Sequence, residues 1–172
     1  NTAGITGVHG FLKKLWKLYV GEKGLNVSDA EPTKDHLKTL HKTIKKVEED
    51  IENFSFNTSV STFMIAVNEL TAQKCTSKTI LEPLLVLLSP YAPHIAEHLY
   101  ACIQFNDLIN VEALDEDFKG IAEVPFPIFD PSHLVESTKN YPISFNGKMC
   151  FTLELPLDMS KDDIEKTVMT HE

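Results

Sequence analysis

Two groups of residues in this 172-residue chain have types and spacing that could do chemistry. His94, Glu97 and His98 spell H-x-x-E-H. On a helix the two imidazoles lie one turn apart on one face, where they could ligate zinc while Glu97 acts as general base to a metal-bound water. Such a zinc hydrolase would need a third protein ligand. The second group is cationic. Lys13, Lys14 and Lys17 share one side of a helix, and Lys42, Lys45 and Lys46 form a second cluster. Lysines so placed contact nucleic-acid phosphates as point charges, releasing counterions and giving salt-dependent affinity. They suit equally a solvated face stitched by the i,i+4 pairs Lys45–Glu49 and Lys46–Asp50, each worth about 0.2–0.5 kcal/mol. Glu48, Glu49, Asp50 and Glu52 follow the second cluster directly and dilute its field.

The charge balance narrows these choices. The chain carries a net charge of −9, and every cation is lysine. Through Pro90 there are 11 lysines against 10 acids, whereas beyond it 5 lysines face 15 acids. Any nucleic-acid contact therefore rests on a local patch in the first half, and the acidic second half suits a helical protein-interaction module that binds no RNA. Cys75, Cys102 and Cys150 are odd in number, far apart and without C-x-x-C spacing. That argues against a disulfide framework or a zinc site and for a reducing compartment, the cytoplasm. No apolar run reaches the ~18 residues of a membrane span. The start does not read as a signal peptide, and because it is Asn1 rather than Met, the chain reads as a piece of something longer.

The elements that would position these residues are mostly helices. Val8, Phe11, Leu12, Leu15, Trp16 and Tyr19 follow helical spacing over Val8 to Val20, which puts Trp16 in the core rather than on a nucleic-acid base. Pro32 is placed to open a second helix. Its seam, Leu37, Leu40, Ile44, Val47, Ile51 and Phe54, spans under three heptads and suits one helix of a bundle. Phe54 and Phe56 are expected in the core. Asn57 is a natural N-cap for a third helix buried through Val60, Phe63, Met64, Val67 and Leu70. A fourth helix starts at Ser77 or Thr79 and runs, apolar nearly all round, to Leu88. Pro90 and Pro93 break it, and Pro93 opens a fifth helix to about Cys102. Phe105 to Ser132 reads as a long surface connection. Ile143, Phe145, Asn146-Gly147, Met149, Phe151, Leu153 and Leu155 predict a hairpin with a type I′ turn. Ser160 with Asp163 predicts a cap for a last helix. Two strands and one helix are too few to stand alone.

These motifs resemble one family. Val8-His9-Gly10-Phe11-Leu12-Lys13-Lys14-Leu15-Trp16 looks like the helix that follows the catalytic domain of leucyl-tRNA synthetases. Leu40-His41-Lys42-Thr43-Ile44-Lys45-Lys46-Val47, Asp50-Ile51-Glu52 and Phe56-Asn57-Thr58 are similar to the family's next helix and turn. Ser89-Pro90-Tyr91-Ala92-Pro93-His94-Ile95-Ala96-Glu97 resembles its late helix-breaking segment, and Asn146-Gly147-Lys148 the hairpin of the small C-terminal domain of the bacterial type.

The resemblance implies a mainly α fold: an antiparallel helical bundle of the class I anticodon-binding type, followed by a partial α+β unit with a β-hairpin. It divides the chain into a helical domain over 1–104, a linker over 105–133 and an incomplete C-terminal domain over 134–172. It implies leucine tRNA as partner, together with the catalytic and editing domains of the same protein, a monomeric fragment and no membrane. Lys13, Lys14, Lys17, Lys42, Lys45, Lys46 and Lys148 become the tRNA-binding candidates. Neither H-I-G-H nor K-M-S-K-S occurs. No residue here is therefore expected to be catalytic and no cofactor is expected in the fragment; ATP and a divalent metal belong to the parent enzyme. The hairpin usually continues with a basic residue two places after its lysine, where this chain has Cys150.

Overall fold

The structure, a computed structural model, describes residues 2–106, 118–135, 138–145, 148–156, 159 and 161–170. The chain divides into two compact units, Asn1–His133 and Leu134–Glu172.

The first unit is a bundle of five helices: α1 (Thr2–Tyr19), α2 (Lys34–Glu52), α3 (Phe56–Ala72), α4 (Lys78–Leu88) and α5 (Pro93–Phe105). Helix α1 starts six residues before the expected Val8, running through Gly4 and Gly7. Those glycines offer no side chain to pack, and Ile5 and Val8 remain exposed beside them. A two-residue ladder, β1 (Val20–Gly21) and β2 (Gly24–Leu25), follows α1. Gly24 takes φ 115° to close it, a conformation that favours glycine. Helix α2 opens at Lys34, two residues after Pro32, because Thr33 is the cap. Thr33 Oγ1 accepts the His36 N–H at 3.2 Å, and His36 Nδ1 accepts the Thr33 N–H at 3.2 Å, a capping box closed by an imidazole. With Nδ1 accepting, Nε2 carries the proton and faces the carbonyl of Gln73, the C-cap of α3, at 3.4 Å.

Helices α2 and α3 run antiparallel, as their polar pairs show. His36 meets Gln73 at one end, Thr39 Oγ1 donates to Glu69 Oε2 at 3.0 Å, and Ser59 Oγ donates to Asp50 Oδ2 at 3.4 Å at the other. Beneath these pairs lies the core. Leu40, Ile44 and Val47 of α2 pack with Phe63, Val67 and Leu70 of α3 and with α4, which is buried on nearly every side. Tyr19 fixes α1 to α4 by donating its buried hydroxyl to Leu81 O at 2.8 Å. Burial raises the phenol's pKa well above 10, so it stays a donor. Helix α5 begins at Pro93 as expected and reaches Phe105, three residues beyond the expected end.

The seam expectation fails at its last residue. Helix α2 stops at Glu52, and Phe54 takes φ 54°. Ser55 N donates to Asp50 O at 2.7 Å and Phe54 N to Ile51 O at 3.1 Å, the double closure of a Schellman turn. The left-handed residue swings its ring outward, so Phe54 is 82% exposed. Phe56 stands edge-on to it at 6.2 Å and is 49% exposed. Neither belongs to the core. Helix α3 is capped at Ser55 rather than Asn57, with no side-chain cap bond.

Residues 118–133 lie against the helices as a strap. Ile121 is buried in a short 3-10 turn, Ile121–Glu123, and Phe118 packs against Tyr100 and Phe105. The second unit contains antiparallel strands β3 (Thr138–Phe145) and β4 (Lys148–Pro156), paired from Thr138↔Pro156 to Phe145↔Lys148 with a register shift between Ile143 and Ser144. Helix α6 (Lys161–Thr170) follows. The expected turn at Asn146-Gly147 and the cap at Ser160 lie outside the described residues. The fold is thus a helical bundle followed by a hairpin-plus-helix unit.

Candidate nucleic-acid interface

Helix α1 buries Leu15, Leu18 and Tyr19, and that stripe turns its lysines to solvent. Lys13, Lys14 and Lys17 are all exposed. Lys14 Nζ donates to Asn68 Oδ1 on α3 at 3.1 Å, a neutral partner that leaves its charge intact. Lys13 and Lys17 have no carboxylate partner among the described residues. The first acidic residue of the chain is Glu22, beyond the end of α1. This face is therefore cationic and uncompensated along its own helix.

The second cluster has a different setting. Lys42, Lys45 and Lys46 are exposed on α2, but two of them are engaged. Lys45 lies 3.9 Å from Glu49 and Lys46 is paired with Asp50, so both expected i,i+4 pairs form. Asp50 is a nearly buried carboxylate. The hydrogen bond from Lys46 holds its pKa below the ordinary range against the opposing effect of burial, with Thr58 and Ser59 adding to the lowering. The Lys45 ammonium also stands 5.9 Å from the centre of the Phe129 ring on the strap. The two lysine clusters sit on separate helices that both pack on α3. Lys148 begins β4, opposite Phe145, in the second unit, and its side chain lies outside the described residues.

Trp16 departs from expectation. It flanks the buried stripe and is 37% exposed, its ring 5.8 Å from that of His98 on α5 and only 13° from parallel. Helical period places Trp16 beside the apolar positions but gives no sign that the stripe is narrow enough to exclude it. The one hint in the sequence is its run of neighbours, Lys13, Lys14 and Lys17.

Two of the three H-x-x-E-H residues, Glu97 and His98, are engaged elsewhere. Both Glu97 carboxylate oxygens accept the Ile121 N–H, at 3.1 and 3.3 Å, so Glu97 pins the strap. His98 Nε2 lies 3.6 Å from Cys102 Sγ, and the ring stacks on Trp16. His94 lines a groove of about 550 Å³ between α1, α3 and the α4–α5 turn. Among the described residues no three His, Cys, Asp or Glu side chains are grouped to hold a metal ion. The groove, walled by Val8, Phe11, Met64, Tyr91 and Ile95, has no lysine among its lining residues.

A further polar cluster escapes sequence reasoning. His41 Nδ1 accepts the Asp130 N–H at 3.1 Å, and the His41 ring stacks on His133 at 4.4 Å. An accepting Nδ1 requires the neutral imidazole. Burial and the neighbouring His133 push the His41 pKa below its ordinary 6.5, with Asp130 opposing. This contact fastens the far end of the strap to α2.

Comparison with known proteins follows the same lines. The family described as the anticodon-binding domain of tRNA ligase matches residues 34–165. Leucine–tRNA ligase of Flavobacterium johnsoniae is 62% identical over 172 residues, covering 100% of this chain and 17% of that protein. The ligase of Christiangramia forsetii is 63% identical with the same coverage, and that of Porphyromonas gingivalis 52% identical over 99% of this chain and 17% of its own. The chain thus spans 17% of the length of these curated relatives. Among solved structures, a ternary LeuRS-tRNA-LeuAMS complex from Agrobacterium radiobacter K84 is similar with TM-score 0.51 and 25% identity, covering 95% of this chain and 20% of that one.

Proposed function

This chain belongs to the anticodon-binding domains of tRNA ligases, and from that premise we propose that it is the tRNA-gripping segment of a leucine–tRNA ligase. The parent enzyme joins leucine to its tRNA using ATP and a divalent metal, in catalytic and editing domains outside this segment. The segment itself acts in the cytoplasm as a monomeric handle; among the described residues no helix is long and apolar enough to cross a membrane. Residues 1–104 form the gripping domain, 105–133 the linker, and 134–172 the start of the C-terminal domain. By holding the body of the tRNA, the bundle lets the acceptor end reach a distant active site.

The observation that carries this reading is the uncompensated cationic face of α1. Lys13, Lys14 and Lys17 meet phosphates there, with Lys148 and the partly neutralised cluster Lys42, Lys45 and Lys46 as secondary candidates. Each phosphate neutralised releases counterions, so affinity falls with salt in proportion to the number of contacts. In the intact enzyme, Lys13→Ala with Lys17→Ala should weaken leucine tRNA binding and flatten the log–log salt slope by up to about 2. Leucine-dependent adenylate formation should stay unchanged. An unaltered affinity and slope would reduce the face to a solubility feature.

A further inference from the structure

We propose that Trp16 and His98 form a stacking platform for an unpaired nucleotide of the bound tRNA, with Lys13 and Lys17 holding the phosphates on either side. This rests on the tRNA-binding reading and adds to it a base contact. One face of the indole lies along the imidazole, near parallel at 5.8 Å, while more than a third of the residue stays open to solvent. Lys13 precedes Trp16 by one helical turn and shares its side of α1, while Lys17, one turn beyond Lys13, projects about 100° further round the helix than the indole.

Charge complementarity selects the occupant. Helix α1 contains no Asp or Glu. On α5 the one acid, Glu97, is held by the Ile121 amide. An apolar protein segment would find its match in the lysine-free groove at the α4–α5 turn, not on an aromatic ring set among free ammonium groups. An exposed aromatic with flanking cations is the combination that binds unpaired nucleotides: every base has a face to stack, and the phosphates on either side satisfy the lysines. The parallel imidazole backs the indole, so His98 is a positioning residue and Trp16 the contact.

Trp16 is the sole tryptophan of the chain, so its emission reports the platform directly. The 172-residue chain is titrated into leucine tRNA at low salt, following both Trp16 emission and the anisotropy of end-labelled tRNA. Stacking quenches the emission with the same midpoint as the anisotropy change and shields the indole from acrylamide. Trp16→Ala weakens binding about 10-fold, whereas Trp16→Phe, which keeps a stacking face, changes it less than about 3-fold. If Trp16→Ala fails to fold in a thermal melt, the wild-type quenching and the Phe variant decide. Binding that needs Lys13 and Lys17 but leaves Trp16 emission and acrylamide access unchanged overturns the platform while the tRNA reading stands. Absence of any tRNA binding by the chain overturns both.

Discussion

Helix α1 carries three lysines, and α2 has a cluster of three, Lys42, Lys45 and Lys46, at nearly the same spacing, yet the charges of the two groups have different uses. On α2 the acids Glu49 and Asp50 sit four residues after Lys45 and Lys46 and take up those ammonium groups within the helix. Asp50 is nearly buried and receives Ser59 from α3 as well, so the Lys46 pair is part of how two helices join. On α1 no acid exists to do the same, and the hydrogen bond from Lys14 to Asn68 leaves the charge in place. Counting lysines in a sequence therefore misjudges a basic face; what matters is the charge left after helical neighbours have paired. By that measure α1 keeps more unpaired positive charge than α2, two of whose clustered lysines are taken up within the helix.

Three substitutions can break or sharpen this contrast, beginning with the largest effect. Ile44→Ala, on the buried side of α2, should lower unfolding free energy by about 2–5 kcal/mol in denaturant titrations. A loss below about 0.5 kcal/mol would place Ile44 outside the core. The strap contact at His41 gives a smaller, pH-dependent effect. Its folded pKa is depressed, so its contribution is complete above about pH 6.5. As pH falls below that value the unfolded chain takes up the proton first, and stability declines until the folded pKa is passed. Unfolding measured at pH 7.5 and 5.5 should show a larger loss in the wild type than in His41→Gln; equal losses would mean that the imidazole is not held neutral by burial, His133 and the Asp130 amide. The smallest effect is expected for Lys45→Ala. Its half-exposed pair with Glu49 should contribute no more than about 0.5 kcal/mol, and leucine tRNA affinity should change less than about 2-fold. A tRNA defect as large as that from Lys13 and Lys17 would erase the distinction between the helices.

Much of the bundle was legible because its rules are local. The Leu40, Ile44 and Val47 stripe, the proline break before α5 and the Lys45–Glu49 and Lys46–Asp50 pairs follow from spacings of three and four residues. Phe54 was misjudged because periodicity cannot foresee a left-handed residue one step past the helix end. Trp16 was misjudged because the width of a buried stripe depends on what packs against it. The contacts that fasten the strap were invisible for another reason: Glu97–Ile121 and His41–Asp130 join residues 24 and 89 positions apart, and nothing in either segment announces the other. For the candidate site, the lysines of α1 could be read directly, whereas their aromatic neighbour emerged only when α1 and α5 came together.

Gly120 deserves its place in the strap for what it lacks. A Cβ there would stand 2.9 Å from Glu97 Oε1, inside the space the carboxylate fills to receive the next residue's amide. The strap is thus keyed to α5 by a missing methyl group. Adding one carbon would oblige the Glu97 carboxylate, the far end of a flexible side chain, to shift and would loosen its hold on the Ile121 N–H.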